Sequence, residues 1–213
     1  EMVAGSVAEF DVVIRNGRVV DGTGSESRIA DVAIKGSTIV AVEPNLAGTG
    51  EREIDATGLL VTPGWVDHHT HYDGQVSWDK WLTPSSWHGV TTAVMGNCAV
   101  GFAPARPDSH EWLIQLMEGV EDIPGSALTE GLTWGWETYP EYLDKIASLP
   151  KVMDIGSQVT HGPLRAYVME ERAGDDLAAT EEDLQEMARL VAEGMEAGAF
   201  GFSTSRTQIH RGS

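Results

Sequence analysis

Hydrophobic and polar positions follow two different patterns along the chain, and the change comes near residue 59. Residues 10–58 hold short runs of β-forming residues separated by Gly, Asn and Ser, which predicts a small antiparallel β domain. From residue 59 onward, apolar runs alternate with amphipathic stretches, which is typical of βα units around a parallel sheet. We therefore predict an α/β protein with two domains, residues 1–58 and residues 59–213.

Four apolar runs predict the parallel strands of the second domain, at residues 60–66, 91–95, 152–159 and 199–202. Apolar positions at helical spacing predict helices between these strands, over residues 110–120, 140–149 and 181–197. The last helix has the clearest start, because Thr180 can act as N-cap and Asp183 can complete a capping box. In the first domain, Asn16 and Gly17 lie between β-forming runs and predict a hairpin turn.

Charge and composition argue against two classes of partner. The chain has 33 acidic and 14 basic residues and a formal net charge of −19, which disfavours nucleic acid and anionic membranes. No apolar run approaches the ~20 residues of a membrane span, and the first residues lack the basic and apolar segments of a secretory signal. The single cysteine, Cys98, fits a reducing compartment, so we expect a cytoplasmic protein.

The strongest chemical signal is a His-x-His pair at the end of the first predicted parallel strand, in the run VTPGWVDHHTHYD. A strand sends alternate side chains to the same face, so His69 and His71 should point the same way. Two imidazoles side by side at the end of a buried strand can bind one metal ion. The alternative is a pair of histidines that only make hydrogen bonds, and the spacing favours the metal.

Every predicted parallel strand ends in a polar or coordinating residue. After the histidine pair, the next strand ends at Cys98, the third at His161 and the fourth at Arg206. Ligands of parallel α/β proteins bind at the carboxyl ends of the strands, and a thiolate is a strong zinc ligand. The rival interpretation is a cysteine hydrolase, with Cys98 as nucleophile and His161 as base.

Three segments, IDATGLLVTPGWVDHHTHYDGQ, HGVTTAVMGNCAVGFAP and GFSTSR, resemble the N-acyl-D-amino-acid deacylases (D-aminoacylases) of the amidohydrolase superfamily. The resemblance implies the first half of a metal-dependent-hydrolase (β/α)8 TIM barrel, preceded by the small antiparallel β domain. It implies one or two zinc ions bound by His69, His71 and Cys98. It also implies hydrolysis of N-acyl-D-amino acids to a carboxylate and a free D-amino acid.

The chain departs from the family pattern in its length, because a complete barrel needs ~250 residues. The further metal-binding histidines of the family have no counterpart here, and we expect the catalytic aspartate to lie beyond residue 213. The expected partner is therefore the remaining C-terminal part of the barrel, in the same chain or in a separate one. We expect the 213-residue chain alone to lack turnover.

A second departure concerns the substrate. Family members have a tyrosine shortly after the FST motif, whereas this chain continues as SRTQIH. Candidates to bind a substrate carboxylate are instead the basic residues near the strand ends, His161, Arg165, Arg206 and His210. The alternatives are another zinc amidohydrolase, with a cyclic amide or other N-acyl substrate, and a non-catalytic scaffold with the same fold.

Overall fold

The computed structural model describes residues 8–121, 123–173 and 177–205. Contacts divide the chain into two compact units, one up to Pro63 and the other from Gly64 onward. The first unit has its own sheet and two small clusters of buried aliphatic residues. The second unit has a larger core and carries all the predicted site residues.

The first unit is a five-stranded sheet. Its strands are β1 (Phe10–Val19), β2 (Arg28–Lys35), β3 (Thr38–Glu43), β4 (Gly50–Asp55) and β5 (Leu60–Val61). Strands β1, β2 and β3 pair in antiparallel fashion, but β4 and β5 both run parallel to β1. The sheet is therefore mixed rather than antiparallel, because residues 44–49 carry the chain from the β3 edge to the opposite side of β1. Residues 60–61 belong to this sheet, not to the first strand of the barrel as predicted.

The Asn16-Gly17 pair forms a β-bulge, so the predicted hairpin turn is wrong. Strand β1 runs through it without a break, and the pairing with β2 shifts register between Ile14 and Gly17. Asn16 takes the left-handed conformation (φ +60°), and its N–H donates to the Asp31 carboxylate at 2.7 Å. Pairing with β2 on both sides of the bulge thus overrides the local preference for a turn.

The second unit contains two groups of parallel strands. Strands β6 (Trp65–Asp67), β7 (Val90–Met95) and β8 (Asp154–Ser157) form a three-stranded sheet in the order β6-β7-β8. Strands β9 (Val159–Thr160) and β10 (Phe202–Ser203) form a parallel pair. All pairs are parallel, as the alternation of strands and helices predicted.

Five α-helices connect these strands in the described residues. They are α1 (His110–Glu121), α2 (Gly125–Gly131), α3 (Tyr139–Ser148), α4 (His161–Met169) and α5 (Glu181–Glu196). Helices α1, α3 and α5 were predicted, and α5 has the expected capping box of Thr180 and Asp183. The short α2 and α4 were not, because Gly and Pro residues interrupt their apolar pattern. The buried stripe of α5 is narrower than predicted, since Leu184 and Met195 are exposed.

The main core of the second unit lies beneath the carboxyl end of β7. Met95, Leu113, Met117 and Tyr142 are almost fully buried there. The Tyr142 hydroxyl donates to the backbone carbonyl of Asp73 at 2.9 Å. This hydrogen bond attaches the segment that follows β6 to the core.

Candidate metal centre

The segment after β6 presents two histidines on one side. Asp67 ends the strand, and its carboxylate accepts a hydrogen bond from the backbone N–H of His69 at 3.1 Å. Thr70 is buried, and it donates its N–H and its hydroxyl to the carbonyl of Val94, at 3.0 and 2.9 Å. With Thr70 held inward, the rings of His69 and His71 lie with their centroids 5.5 Å apart. The alternation of side chains along a strand predicted that both histidines would lie on the same side.

Cys98 lies in a tight turn that follows β7. Gly96, Cys98 and Ala99 all have positive φ, at +76°, +52° and +68°. Gly96 also approaches the next strand closely, because an added Cβ would lie 2.4 Å from the carbonyl oxygen of Gln158. A non-glycine residue in this region costs about 1–3 kcal/mol and persists only where its surroundings fix it. Cys98 and Ala99 are therefore held by neighbouring segments.

Three segments hold this turn through its backbone. The Asp73 carboxylate, in a residue only 2% exposed, accepts the N–H of Gly96 at 3.1 Å. The hydroxyl of Ser203 accepts the N–H of Ala99 at 3.2 Å. The N–H of Gly162 donates to the carbonyl of Ala99 at 2.9 Å. The segment after β6, the start of α4 and the end of β10 thus fix the position of Cys98.

The three candidate ligands lie close together at the strand ends. The Nε2 atom of His69 is 3.2 Å from the Sγ atom of Cys98. One ligand atom from each of His69, His71 and Cys98 lies within 4.8 Å of the other two. His69 is exposed and the other two are half-buried, so the group is open to solvent on one side.

The chemistry of this donor set fits a catalytic zinc ion. Zinc takes imidazole nitrogen at about 2.0–2.1 Å and thiolate sulfur at about 2.3 Å, so ligand atoms on one ion lie about 3.3–3.6 Å apart. The 3.2 Å between His69 Nε2 and Cys98 Sγ is close to this separation, and all three ligand atoms lie within 4.8 Å of one another. Three protein ligands leave the fourth position of a tetrahedral ion for water or substrate.

Of the four predicted substrate-binding residues, the structure describes His161 and Arg165, and His161 adjoins Gly162, which contacts the turn of Cys98. It is the first residue of α4, directly before Gly162, and its Nδ1 atom is 3.3 Å from the hydroxyl of Thr204. Arg165 donates to the backbone carbonyls of Ala173 and Leu177, at 3.2 and 2.6 Å. The roles of both residues toward substrate stay predictions.

Arg206 and His210, the other two residues predicted to bind substrate, lie outside the described residues. Sequence reasoning missed the polar residues that hold the ligands in place, Thr70, Asp73, Asn97 and Ser203. Their positions in the sequence could have identified them, because each lies within a few residues of a predicted ligand or in the FST motif. A buried polar residue beside a ligand is a candidate to orient it.

A sequence model of the amidohydrolase family matches residues 52–211. The chain belongs to the amidohydrolase family. The D-aminoacylase of Alcaligenes xylosoxydans xylosoxydans is 33% identical over 195 residues, which are 92% of this chain and 37% of that protein. This amidohydrolase chain therefore spans only 37% of the length of that relative.

Two solved structures carry the same fold. The crystal structure of D-aminoacylase superposes with a TM-score of 0.73 and 34% identity, over 92% of this chain and 38% of that one. N-acyl-D-glutamate deacylase from Bordetella bronchiseptica superposes with a TM-score of 0.70 and 28% identity, over the same shares. That enzyme was solved with zinc and a phosphonate inhibitor that mimics the tetrahedral intermediate. The match confirms the predicted α/β fold of an amidohydrolase.

Among the helices of the described residues, none combines the length and the apolar character that a membrane span requires.

Proposed function

We propose that this chain is the N-terminal part of a zinc-dependent hydrolase that cleaves the amide of N-acyl-D-amino acids. The products are a carboxylate and a free D-amino acid. One observation carries the proposal: His69, His71 and Cys98 bring two imidazoles and a thiol within 4.8 Å of one another. The similarity to D-aminoacylase and to a zinc-bound N-acyl-D-glutamate deacylase supports the same reaction class.

The proposed ligands suit a hydrolytic role. Zinc held there, as one or two ions, would supply polarisation of a carbonyl group and a water molecule of lowered pKa. His69 and His71 contribute neutral nitrogen donors, and Cys98 contributes one negative charge as a thiolate. Together these residues would carry only one negative charge, so they would leave a bound divalent ion with a net positive charge. The exposed side of the group gives the substrate its approach.

A general base must come from another residue. Asp73 is close in sequence, but it is 2% exposed and its carboxylate accepts the N–H of Gly96. That buried position supports the turn of Cys98, so we do not assign Asp73 as the general base. We place the general base, an aspartate, in a part of the protein beyond residue 213.

Recognition of the substrate carboxylate is assigned to basic residues near the same strand ends. His161 is the leading candidate, because Gly162 contacts the turn that carries Cys98. Arg165, Arg206 and His210 are the other three. Arg165 would have to release the carbonyls of Ala173 and Leu177 to reach a substrate.

The proposed partner, besides the small N-acyl amino acid, is the remaining C-terminal part of the barrel. Large apolar side chains on and beside the outermost strands of the second unit support it. On β6, Trp65 is 60% exposed and Val66 is 63% exposed, while Phe200, just before β10, is 67% exposed. Unpaired strand edges with exposed apolar side chains call for further strands or another cover.

The test measures hydrolysis by the zinc-loaded protein at its natural full length. The substrates are matched N-acetyl-D- and N-acetyl-L-amino acids and a set of cyclic amides. The proposal expects hydrolysis of the D-series in preference to the L-series. Equal rates on both enantiomers, or activity confined to cyclic amides, would contradict the substrate assignment. Activity that survives complete removal of zinc by a chelator would contradict the metal mechanism and favour a cysteine hydrolase of Cys98 and His161.

A further inference from the structure

Asn97 connects the two segments that supply the candidate ligands. It is 8% exposed and directly precedes Cys98. Its side-chain Nδ2 donates to the backbone carbonyl of Thr70 at 3.1 Å and to that of Val94 at 2.9 Å. Thr70 is the residue between His69 and His71. One buried amide group is thus bonded to the backbone between the two histidines and adjoins the cysteine.

We infer that Asn97 is a positioning residue of the metal centre, which sets the separation between the histidine pair and Cys98. The inference rests on the proposed function, since it assigns a role toward the zinc of that same site. Asn97 is not proposed as a ligand, because its amide nitrogen is turned to the two carbonyls. It acts through the residues on either side of it.

The hydrogen bonds of Asn97 require a carboxamide. Its NH₂ group has two hydrogens for two carbonyls, and its Oδ1 accepts from Nε2 of Gln158 at 2.9 Å. Gln158 lies between β8 and β9, so the Asn97 side chain also connects to the junction of these two strands. A carboxylate of the same shape would instead turn an oxygen toward the carbonyl oxygens of Thr70 and Val94.

The carbonyl of Val94 shows how closely the two segments are joined. Besides the amide of Asn97, it accepts the N–H and the hydroxyl of Thr70. Without the amide, the bonds from Thr70 would still tie that residue to β7. The bond from Asn97 to the carbonyl of Thr70, which lies between the two histidines, would be lost. The bond from the Gly96 N–H to the Asp73 carboxylate, outside the His-x-His pair, would remain between the turn of Cys98 and the segment after β6.

The test compares Asn97→Asp with the unchanged protein at its natural full length. Tyr139→Phe is the control, because it removes a different buried hydrogen bond, from the Tyr139 hydroxyl to Ser157 at 2.9 Å. Zinc affinity is measured by competition with a chelator, and the apo proteins are compared by thermal unfolding. Cobalt is then substituted for zinc, and the thiolate-to-cobalt charge-transfer absorption reports the bond from Cys98.

The inference expects Asn97→Asp to weaken zinc binding by about 10–100-fold, as loss of an outer-shell partner does. It also expects a shifted or weakened charge-transfer band. Tyr139→Phe should keep both the affinity and the band. If Asn97→Asp does not fold, Asn97→Ser is used, because its short hydroxyl group removes both amide donors without adding a negative charge.

Two results would overturn the inference while the proposed function stands. One is an unchanged affinity and cobalt spectrum in the Asn97 variant. The other is an equal loss in Tyr139→Phe, which would mean that general destabilisation explains the effect. Absence of zinc binding by the unchanged protein would instead overturn the proposed function, and this inference with it.

Discussion

The Nε2 atom of His69 lies 3.2 Å from the Sγ atom of Cys98, although the two residues are 29 positions apart in the chain. Parallel pairing of β6 with β7 brings them together, because it aligns the ends of both strands at one edge of the sheet. Loss of the thiol should therefore leave a site of two imidazoles. We therefore expect zinc binding at this edge to depend on the Cys98 sulfur.

We expect Cys98→Ala to reduce zinc affinity and amide hydrolysis by at least about 100-fold, since loss of an outer-shell partner alone costs 10–100-fold. Cys98→Asp is the matched variant, because a carboxylate supplies an anionic ligand in place of the thiolate. It should recover part of the bound zinc. The measurements are metal content after dialysis and the rate of hydrolysis. Full activity of Cys98→Ala would exclude the thiolate from the mechanism.

Gly96 should tolerate no side chain. Gly96→Ala forces a Cβ at φ +76° and within 2.4 Å of the Gln158 carbonyl. We expect a loss of more than the ~1–3 kcal/mol that the left-handed conformation costs by itself. Gly58→Ala is the matched control, because Gly58 has φ +78° and no atom within 4 Å of the added Cβ. Denaturant unfolding of both variants gives the two losses, and equal values would show that the close approach to Gln158 adds nothing.

The start of α5 should show a pH-dependent contribution to stability. The guanidinium of Arg172, at 2.7 and 2.9 Å, holds the pKa of the Asp183 carboxyl well below its usual range. A carboxyl whose pKa is lower in the folded state stabilises the fold above its unfolded pKa of about 3.9, and this contribution is lost as the pH falls further.

Arg172→Met should therefore lower the free energy of unfolding at pH 7, and the difference from the unchanged protein should shrink below about pH 3.9. Denaturant unfolding across this pH range is the measurement. The capping bond between Thr180 and Asp183 is retained in this variant, so the comparison isolates the ion pair. If the difference in the free energy of unfolding stays constant down to pH 2, the lowered pKa of Asp183 is not due to Arg172.

The fold was predictable to the extent that local pattern determines it. The parallel strands, helices α1, α3 and α5, and the capping box of Thr180 all follow from periodicity and cap chemistry. The bulge at Asn16 and the parallel position of β4 did not, because long-range pairing decides both. A turn signal such as Asn-Gly reports a local preference only, and a partner strand can override it.

The grouping of the three candidate ligands was predictable, but the residues that support them were not. His69, His71 and Cys98 stand at strand ends, and the parallel topology alone brings strand ends together. The hydrogen bonds of Asn97 and Asp73 depend on where backbone carbonyls and N–H groups of other segments lie. Such positions come only from the folded structure.

The 213-residue chain by itself should hydrolyse none of the N-acyl amino acids, because among its described residues no carboxylate joins the group of His69, His71 and Cys98. Its exposed Trp65 and Phe200 should also favour association of the isolated chain. Activity assays and light scattering on the purified 213-residue chain test both expectations. Turnover by this chain without any further segment would contradict the assignment of the general base.

The most direct test of the central claim is X-ray absorption at the zinc edge of the full-length protein. The account predicts a zinc shell with one sulfur at about 2.3 Å and nitrogen ligands at about 2.0–2.1 Å. The sulfur should disappear from that shell, or the zinc should be lost altogether, in Cys98→Ala. A shell without sulfur in the unchanged protein, or a protein that binds no zinc, would contradict the assignment of His69, His71 and Cys98 as the metal ligands.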